Sequence, residues 1–120
     1  MVYDTARALA AQLKSSQEYK AYQETREAAM ANDTTKALIA EYHKLQMRAQ
    51  GVVMQGGKDE ELFQKLQKLG EVLQMDGDAS AFLMAEYRMN TMLGDVYKIL
   101  AEAIDVDLSG LEGKADKDGR

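Results

Sequence analysis

The sequence predicts an all-α protein: an elongated bundle of about five helices, with an antiparallel helical hairpin in the middle and a long helix toward the C-terminal end. Three observations carry this. Phe82, Ala85, Met89, Met92, Val96, Ile99 and Ala103 recur at spacings of three and four without a break. There is no proline, and the helix formers Ala, Leu, Lys, Glu, Gln and Met dominate. No stretch reads as a run of β-branched residues alternating with polar ones, and the aromatic residues are few: six Tyr, two Phe and no Trp.

Each element has its own signal. The first helix is expected from about Tyr3 to Lys14, with Ala6, Leu9, Ala10 and Leu13 as its apolar stripe. Ser15, with Glu18 three residues on, fits a capping box and starts a second helix. Tyr19, Tyr22, Arg26, Ala29 and Met30 share one side of it. Asn32-Asp33-Thr34 is a stop-and-start signal, because short polar side chains cap new helices. A third helix follows from about Thr35 to Val53, with Leu38, Tyr42, Leu45, Ala49 and Val52 in its seam and Ile39 and Gln46 beside them. Gln55-Gly56-Gly57 is a tight connection, and Asp59 caps a fourth helix whose seam is Leu62, Leu66, Leu69 and Leu73, with Phe63 and Val72 alongside. Glu61 and Lys65 are spaced for a surface ion pair. Asp76-Gly77-Asp78 breaks the chain before the fifth helix, which is expected to run roughly 26 residues, or about 39 Å.

A compact domain of this size has a radius of gyration of about 14 Å, so the helix is about as long as the whole domain should be wide. Leu83, Leu93, Leu100 and Ile104 widen the apolar face of the fifth helix. Such a face needs other long helices over it, from the same chain or from a second copy, so a homodimer or higher oligomer is expected. Residues 1–104 read as a single helical domain, and residues 105–120 as an acidic, mobile tail without periodicity. Gly70 and Gly94 sit inside helical patterns, where a close helix–helix approach would account for them.

Composition narrows the chemistry. The absence of cysteine removes disulfides, zinc ribbons and thiolate-held Fe–S clusters within this chain. The start MVYDTARALA is not a signal peptide, and no run of 18 apolar residues exists, so neither export nor membrane insertion is expected and a cytoplasmic location is. A net charge of −5 argues against strong direct nucleic-acid binding. The middle of the chain is mildly basic, with Lys36, Lys44, Arg48, Lys58, Lys65 and Lys68 against Glu41, Asp59, Glu60 and Glu61, which reads as a solvated helical face.

No catalytic set assembles. His43 is the single histidine, and it reads as a surface or rim residue; Glu41 points to another helix face. The Glu-x-x-His spacing of helical di-metal sites is missing, as are a nucleophile elbow and a phosphate loop. Glu86 borders the seam between Phe82 and Met89, where an unpaired carboxylate is costly. A structural hydrogen bond or ion pair is expected for it, to Arg48, Arg26 or a backbone amide, in preference to a catalytic role. Met84, Met89 and Met92 cluster on the fifth helix and are expected to fill an irregular core. Asp105, Asp107, Ser109, Gly110 and Asp116 follow a calcium-loop pattern, but Glu112 stands where an apolar residue belongs and no exiting helix can form, so an acidic tail is the preferred reading. No metal or cofactor is expected.

Three stretches carry a family resemblance: LAAQLKSSQEYKAYQETREA (Leu9 to Ala28), TKALIAEYHKLQMRAQ (Thr35 to Gln50) and FLMAEYRMNTMLGDVYKIL (Phe82 to Leu100). In this order they resemble the YlbF/YmcA family of small bacterial helical proteins. The resemblance runs from about Tyr3 to Ile104 and is one of helix pattern, not of a catalytic motif. The family commonly has Asp-Pro before the third helix, where this chain has Asp33-Thr34. Related members carry cysteines that help hold an Fe–S cluster in a complex with a third protein, YaaT; this chain has none.

What the resemblance implies is a non-enzymatic regulatory adaptor. It would work with a YaaT-like protein to assist RNase Y in maturing mRNAs, with effects on sporulation, competence and biofilm formation. Lys44 and Arg48, one turn apart, are the candidates for charged partner contacts. The alternative is a homodimeric helical protein with a small-ligand or enzymatic pocket near Glu86.

Overall fold

The computed structural model describes residues 1–105, and they form five α-helices with no strand among them: α1 (Val2–Lys14), α2 (Gln17–Met30), α3 (Asp33–Met54), α4 (Glu60–Gln74) and α5 (Gly77–Ile104). The calcium-loop positions Asp107, Ser109, Gly110 and Asp116, and the tail from 106 onward, lie outside the described residues.

Caps set the helix boundaries. Asn32 accepts from Thr35 N–H at 3.0 Å, Asp59 from Leu62 N–H at 3.1 Å, and Asp76 from Asp78 and Ala79 N–H at 3.0 and 3.2 Å. Each satisfies backbone donors that the first turn of a helix leaves without partners. The start of α2 corrects the sequence reading. Ser16, not Ser15, is the cap, and it accepts from Tyr19 N–H at 3.1 Å. Ser15 closes α1 as its C-cap, with backbone angles still on the helical side (φ −90°, ψ −2°), whereas Ser16 is extended (ψ 156°), as an N-cap must be.

The α3–α4 connection follows from glycine chemistry. Gly57 N–H donates to Val52 O at 3.0 Å and Gly56 N–H to Val53 O at 2.9 Å, the paired bonds of a Schellman motif. Gly56 holds φ +73°, a region that side chains disfavour. The motif stops α3 abruptly and turns the chain back, so α3 and α4 form the expected antiparallel hairpin.

Packing arranges the helices in two pairs. Ala29 near the end of α2 shares a core cluster with Ala79 near the start of α5, and the Tyr22 and Phe82 rings lie 5.5 Å apart, so α2 and α5 run antiparallel. The α3–α4 hairpin joins this pair through Ile39 and Leu73, buried with Ala29, Ala79 and Phe82. A second cluster of Leu45, Ala49 and Leu62 seals the hairpin toward its tip. Gly70 faces the Tyr42 ring, which a Cβ would meet at 3.4 Å, so this glycine marks the close approach of α4 to α3. Gly94 has nothing within 4 Å of a Cβ and serves no such purpose.

The molecule is flat. Its principal extents are 47 × 36 × 16 Å, and its radius of gyration is 16.9 Å, above the compact expectation of about 14 Å. Two stretches explain the difference. α1 has no buried residue, and Leu9 and Leu13 are its only half-buried ones. α5 buries Ala79, Phe82 and Ala85, but none of its residues beyond Ala85. Met89, Met92 and Val96 are half-buried, and Ile99 and Ile104 are 64% and 63% exposed. Met84 is exposed as well, so the methionine cluster is not the core that its spacing predicted. Val72, set beside the α4 seam, is also exposed.

Candidate functional site

Two features of the described residues stand out: a cross-helix polar pair that lines a cleft, and exposed apolar side chains along two helical stretches.

The pair is His43 on α3 with Glu86 on α5. Nε2 of His43 lies 2.9 Å from Glu86 Oε1. This corrects the sequence expectation, which gave Glu86 to Arg48, Arg26 or a backbone amide. No described lysine or arginine lies within 4.0 Å of it. The helical phases explain the outcome. Leu45 and Ala49 turn inward to the hairpin core, which leaves Lys44 and Arg48 on the outer side of α3. His43 sits between those two sides, at the rim facing α5. Its ring meets buried Phe82 edge-on, with centroids 6.3 Å apart, so core packing orients the imidazole. The pair is half-buried: His43 is 36% and Glu86 23% exposed. With Glu86 ionised, the carboxylate can only accept, and Nε2 carries the proton.

A cleft opens at this pair. Its walls are His43, Gln46, Met47 and Gln50 of α3, Leu66 of α4, and Glu86 and Asn90 of α5. Gln46 and Gln50 stand one turn apart, as do Glu86 and Asn90, so two polar rows face each other. A His–Glu pair can hold and pass a proton. The lining offers neither a hydroxyl or thiol nucleophile nor a second carboxylate, so the geometry suits recognition better than group transfer. Among the described residues no three His, Cys, Asp or Glu side chains converge as a metal site would require.

A second polar contact crosses the helices at the other end of α3. The buried Thr35 hydroxyl, 5% exposed, donates to Asp76 Oδ2 at 2.6 Å. That bond, with the backbone donors of Asp78 and Ala79, holds the Asp76 carboxyl below the usual carboxylate range. Sequence reasoning missed Thr35 as a core residue. Its signal was weak, since a threonine in a first helical turn is ordinary.

The proposed contact residues Lys44 and Arg48 are both exposed, and neither takes part in an ion pair among the described residues. Glu61 and Lys65 do not pair either. The apolar surface lies elsewhere, along α1 and the C-terminal half of α5, with Val2, Tyr3, Tyr97, Ile99, Leu100 and Ile104 exposed. No helix of the described residues is long and apolar enough to cross a membrane.

Fold and site together define a flat all-helical protein whose distinctive chemistry lies on open surfaces. Comparison with known proteins makes the assignment specific. The chain belongs to the YlbF/YmcA family: the family model described as control of competence regulator ComK, YlbF/YmcA, matches residues 2–105. It is similar to a UPF0342 protein of Symbiobacterium thermophilum, at 46% identity over 108 residues, covering 89% of this chain and 96% of that protein. A UPF0342 protein of Halothermothrix orenii is 32% identical over 110 residues, covering 90% and 92%. Two solved structures share the fold. One is a DUF964 protein of unknown function from Bacillus stearothermophilus, with TM-score 0.72, 17% identity and coverage of 87% and 92%. The other is Bacillus subtilis RicA in complex with RicF, with TM-score 0.56, 18% identity and coverage of 87% and 93%.

Proposed function

We propose that this chain is a non-enzymatic regulatory adaptor that works by presenting helical surfaces to protein partners, a second copy of itself among them. In this reading it acts with a YaaT-like protein to assist RNase Y-dependent mRNA maturation, and through it the control of competence, sporulation and biofilm formation.

One observation carries the adaptor reading. α1 and the part of α5 beyond Ala85 hold aliphatic and aromatic side chains yet bury none of them. Two helical stretches that expose this many apolar side chains are uncommon on a protein that works alone, and long helices are a common vehicle for partner recognition. A complex between RicA and RicF, whose fold this chain shares, supports the same view. Lys44 and Arg48, in no ion pair among the described residues, add positive charge to the outer side of α3, where a charged partner would be steered.

The test is a pull-down from the native cytoplasm with identification of the captured proteins. Wild type is expected to capture RNase Y or a YaaT-like protein, and Lys44→Glu with Arg48→Glu to capture less, with more effect at low salt. Unchanged capture by the double variant would remove that face from the proposal. Turnover of a substrate by the purified protein, abolished by Glu86→Gln without unfolding, would replace the adaptor reading with an enzymatic one.

A further inference from the structure

The cleft beside His43 and Glu86 is not used by any contact described above, and its chemistry is specific. Glu86 is more than three-quarters buried, yet its one side-chain hydrogen-bond partner among the described residues is His43, on Oε1. The second oxygen, Oε2, has no hydrogen-bond donor among the described residues. A carboxylate in that position gains from a cation that arrives from outside. Gln46, Gln50 and Asn90, each with a side-chain carbonyl able to accept, line the same cleft, together with the apolar Met47 and Leu66. Lys44 and Arg48 are not among the lining residues, so no positive charge of α3 guards the entrance.

We propose that this cleft is a receptor for an arginine side chain carried by a partner protein, with Glu86 as its counter-ion. The proposal rests on the adaptor reading and names the anchor it uses. Arginine fits better than lysine for two reasons. Its planar fork of five N–H donors can serve Glu86 Oε2 and the amide carbonyls together, and its weakly hydrated flat faces and aliphatic stem suit the Met47 and Leu66 walls. His43 acts as a positioning residue. It holds Oε1, and its ring is set by Phe82, so Oε2 is presented in a fixed direction. Such a charge-assisted contact in a half-buried site is of the kind that anchors an interface.

The test uses the full chain and three small probes: the acetylated amides of arginine, of lysine, and of citrulline, the neutral isostere of arginine. The single histidine provides an unambiguous NMR signal beside the site. Titration with arginine amide is expected to shift the His43 ring resonances and the side-chain amides of Gln46, Gln50 and Asn90 along a saturating curve. Citrulline amide should leave them in place at equal concentration and ionic strength, and lysine amide should bind more weakly. Glu86→Gln, which keeps an acceptor for His43, is expected to weaken arginine binding about tenfold or more. Gln50→Ala, at an exposed position, should weaken it by less while leaving the fold intact. Equal shifts from arginine and citrulline amides, or unchanged binding in Glu86→Gln, would overturn the proposal. Equal affinity for lysine amide would overturn the choice of arginine. Partner capture through Lys44 and Arg48 does not involve the cleft, so a failed titration with intact capture rejects the cleft alone.

Discussion

Thr35 on α3 and Asp76 at the start of α5 are joined by a 2.6 Å hydrogen bond, although 41 residues separate them in sequence. Asp76 divides its two oxygens between tasks. Oδ1 caps α5 through Asp78 and Ala79, and Oδ2 takes the Thr35 hydroxyl. One carboxylate therefore fixes where α5 begins and where α3 lies against it.

Its titration has a definite sign. The folded-state pKa of Asp76 lies below its ordinary value, first because of the Thr35 hydroxyl and then the Ala79 amide. The bonds thus favour the ionised form. Their stabilisation is fully present above the unfolded-state pKa and is lost as pH falls through the lower folded-state value. Thermal melts of wild type and Asp76→Asn from pH 7 downward should show a constant difference at first, which narrows below about pH 4. Thr35→Val, of nearly equal volume, should lower the melting temperature at pH 7 and reduce that pH dependence. A pH profile identical in wild type and Asp76→Asn would show that the linkage is absent.

The His43–Glu86 bond should appear as a coupling between distant positions. A double-mutant cycle with His43→Ala and Glu86→Ala, read by urea denaturation at pH 7, should give an interaction of about 1 kcal/mol. Purely additive losses would mean that the contact contributes nothing in solution.

Core substitutions should separate by depth. Leu73→Ala and Leu45→Ala remove buried side chains and should cost about 2–5 kcal/mol each. Leu66 occupies the same seam but is half-buried, so Leu66→Ala should fall at or below the lower end of that range. A larger loss at Leu66 than at Leu73, in urea melts, would contradict this packing.

The uncovered helices lead to the opposite expectation. Leu9→Glu and Ile99→Glu touch no buried residue of the core and should leave secondary structure intact. If a second copy covers α1 and the end of α5, each should shift the species seen by light scattering toward the 13.3 kDa monomer. Wild type that is itself monomeric at micromolar concentration would remove self-association from the proposed function.

The Schellman turn offers a local test. Gly56 at φ +73° has open space around a Cβ, so Gly56→Ala meets backbone strain and no clash. The expected cost is about 1–2 kcal/mol, whereas Gly94→Ala, inside α5 with open space and no positive φ, should be neutral or stabilising by up to about 1 kcal/mol.

What was legible from the sequence was the information carried by neighbours along the chain. The period of three and four from Phe82 placed α5, Asn32 and Asp59 marked helix starts, and Gly56-Gly57 marked the hairpin, because helix propensity, capping and turn chemistry act within a few residues. The resemblance in three helical stretches pointed to the family on the same local patterns. Sequence could not say how far an apolar stripe is covered. Phe82 and Ile99 belong to one seam with the same spacing, yet one is buried by α2 and the hairpin and the other stands in the open, because α2 reaches only part of the length of α5. Nor could it find the partner of Glu86. Arg48 and His43 are both on α3 and five residues apart, and the choice between them was made by the roll of α3 that buries Leu45 and Ala49. That roll is set by the packing of three helices at once, so pairings such as His43 with Glu86 and Thr35 with Asp76 exist only in the tertiary structure.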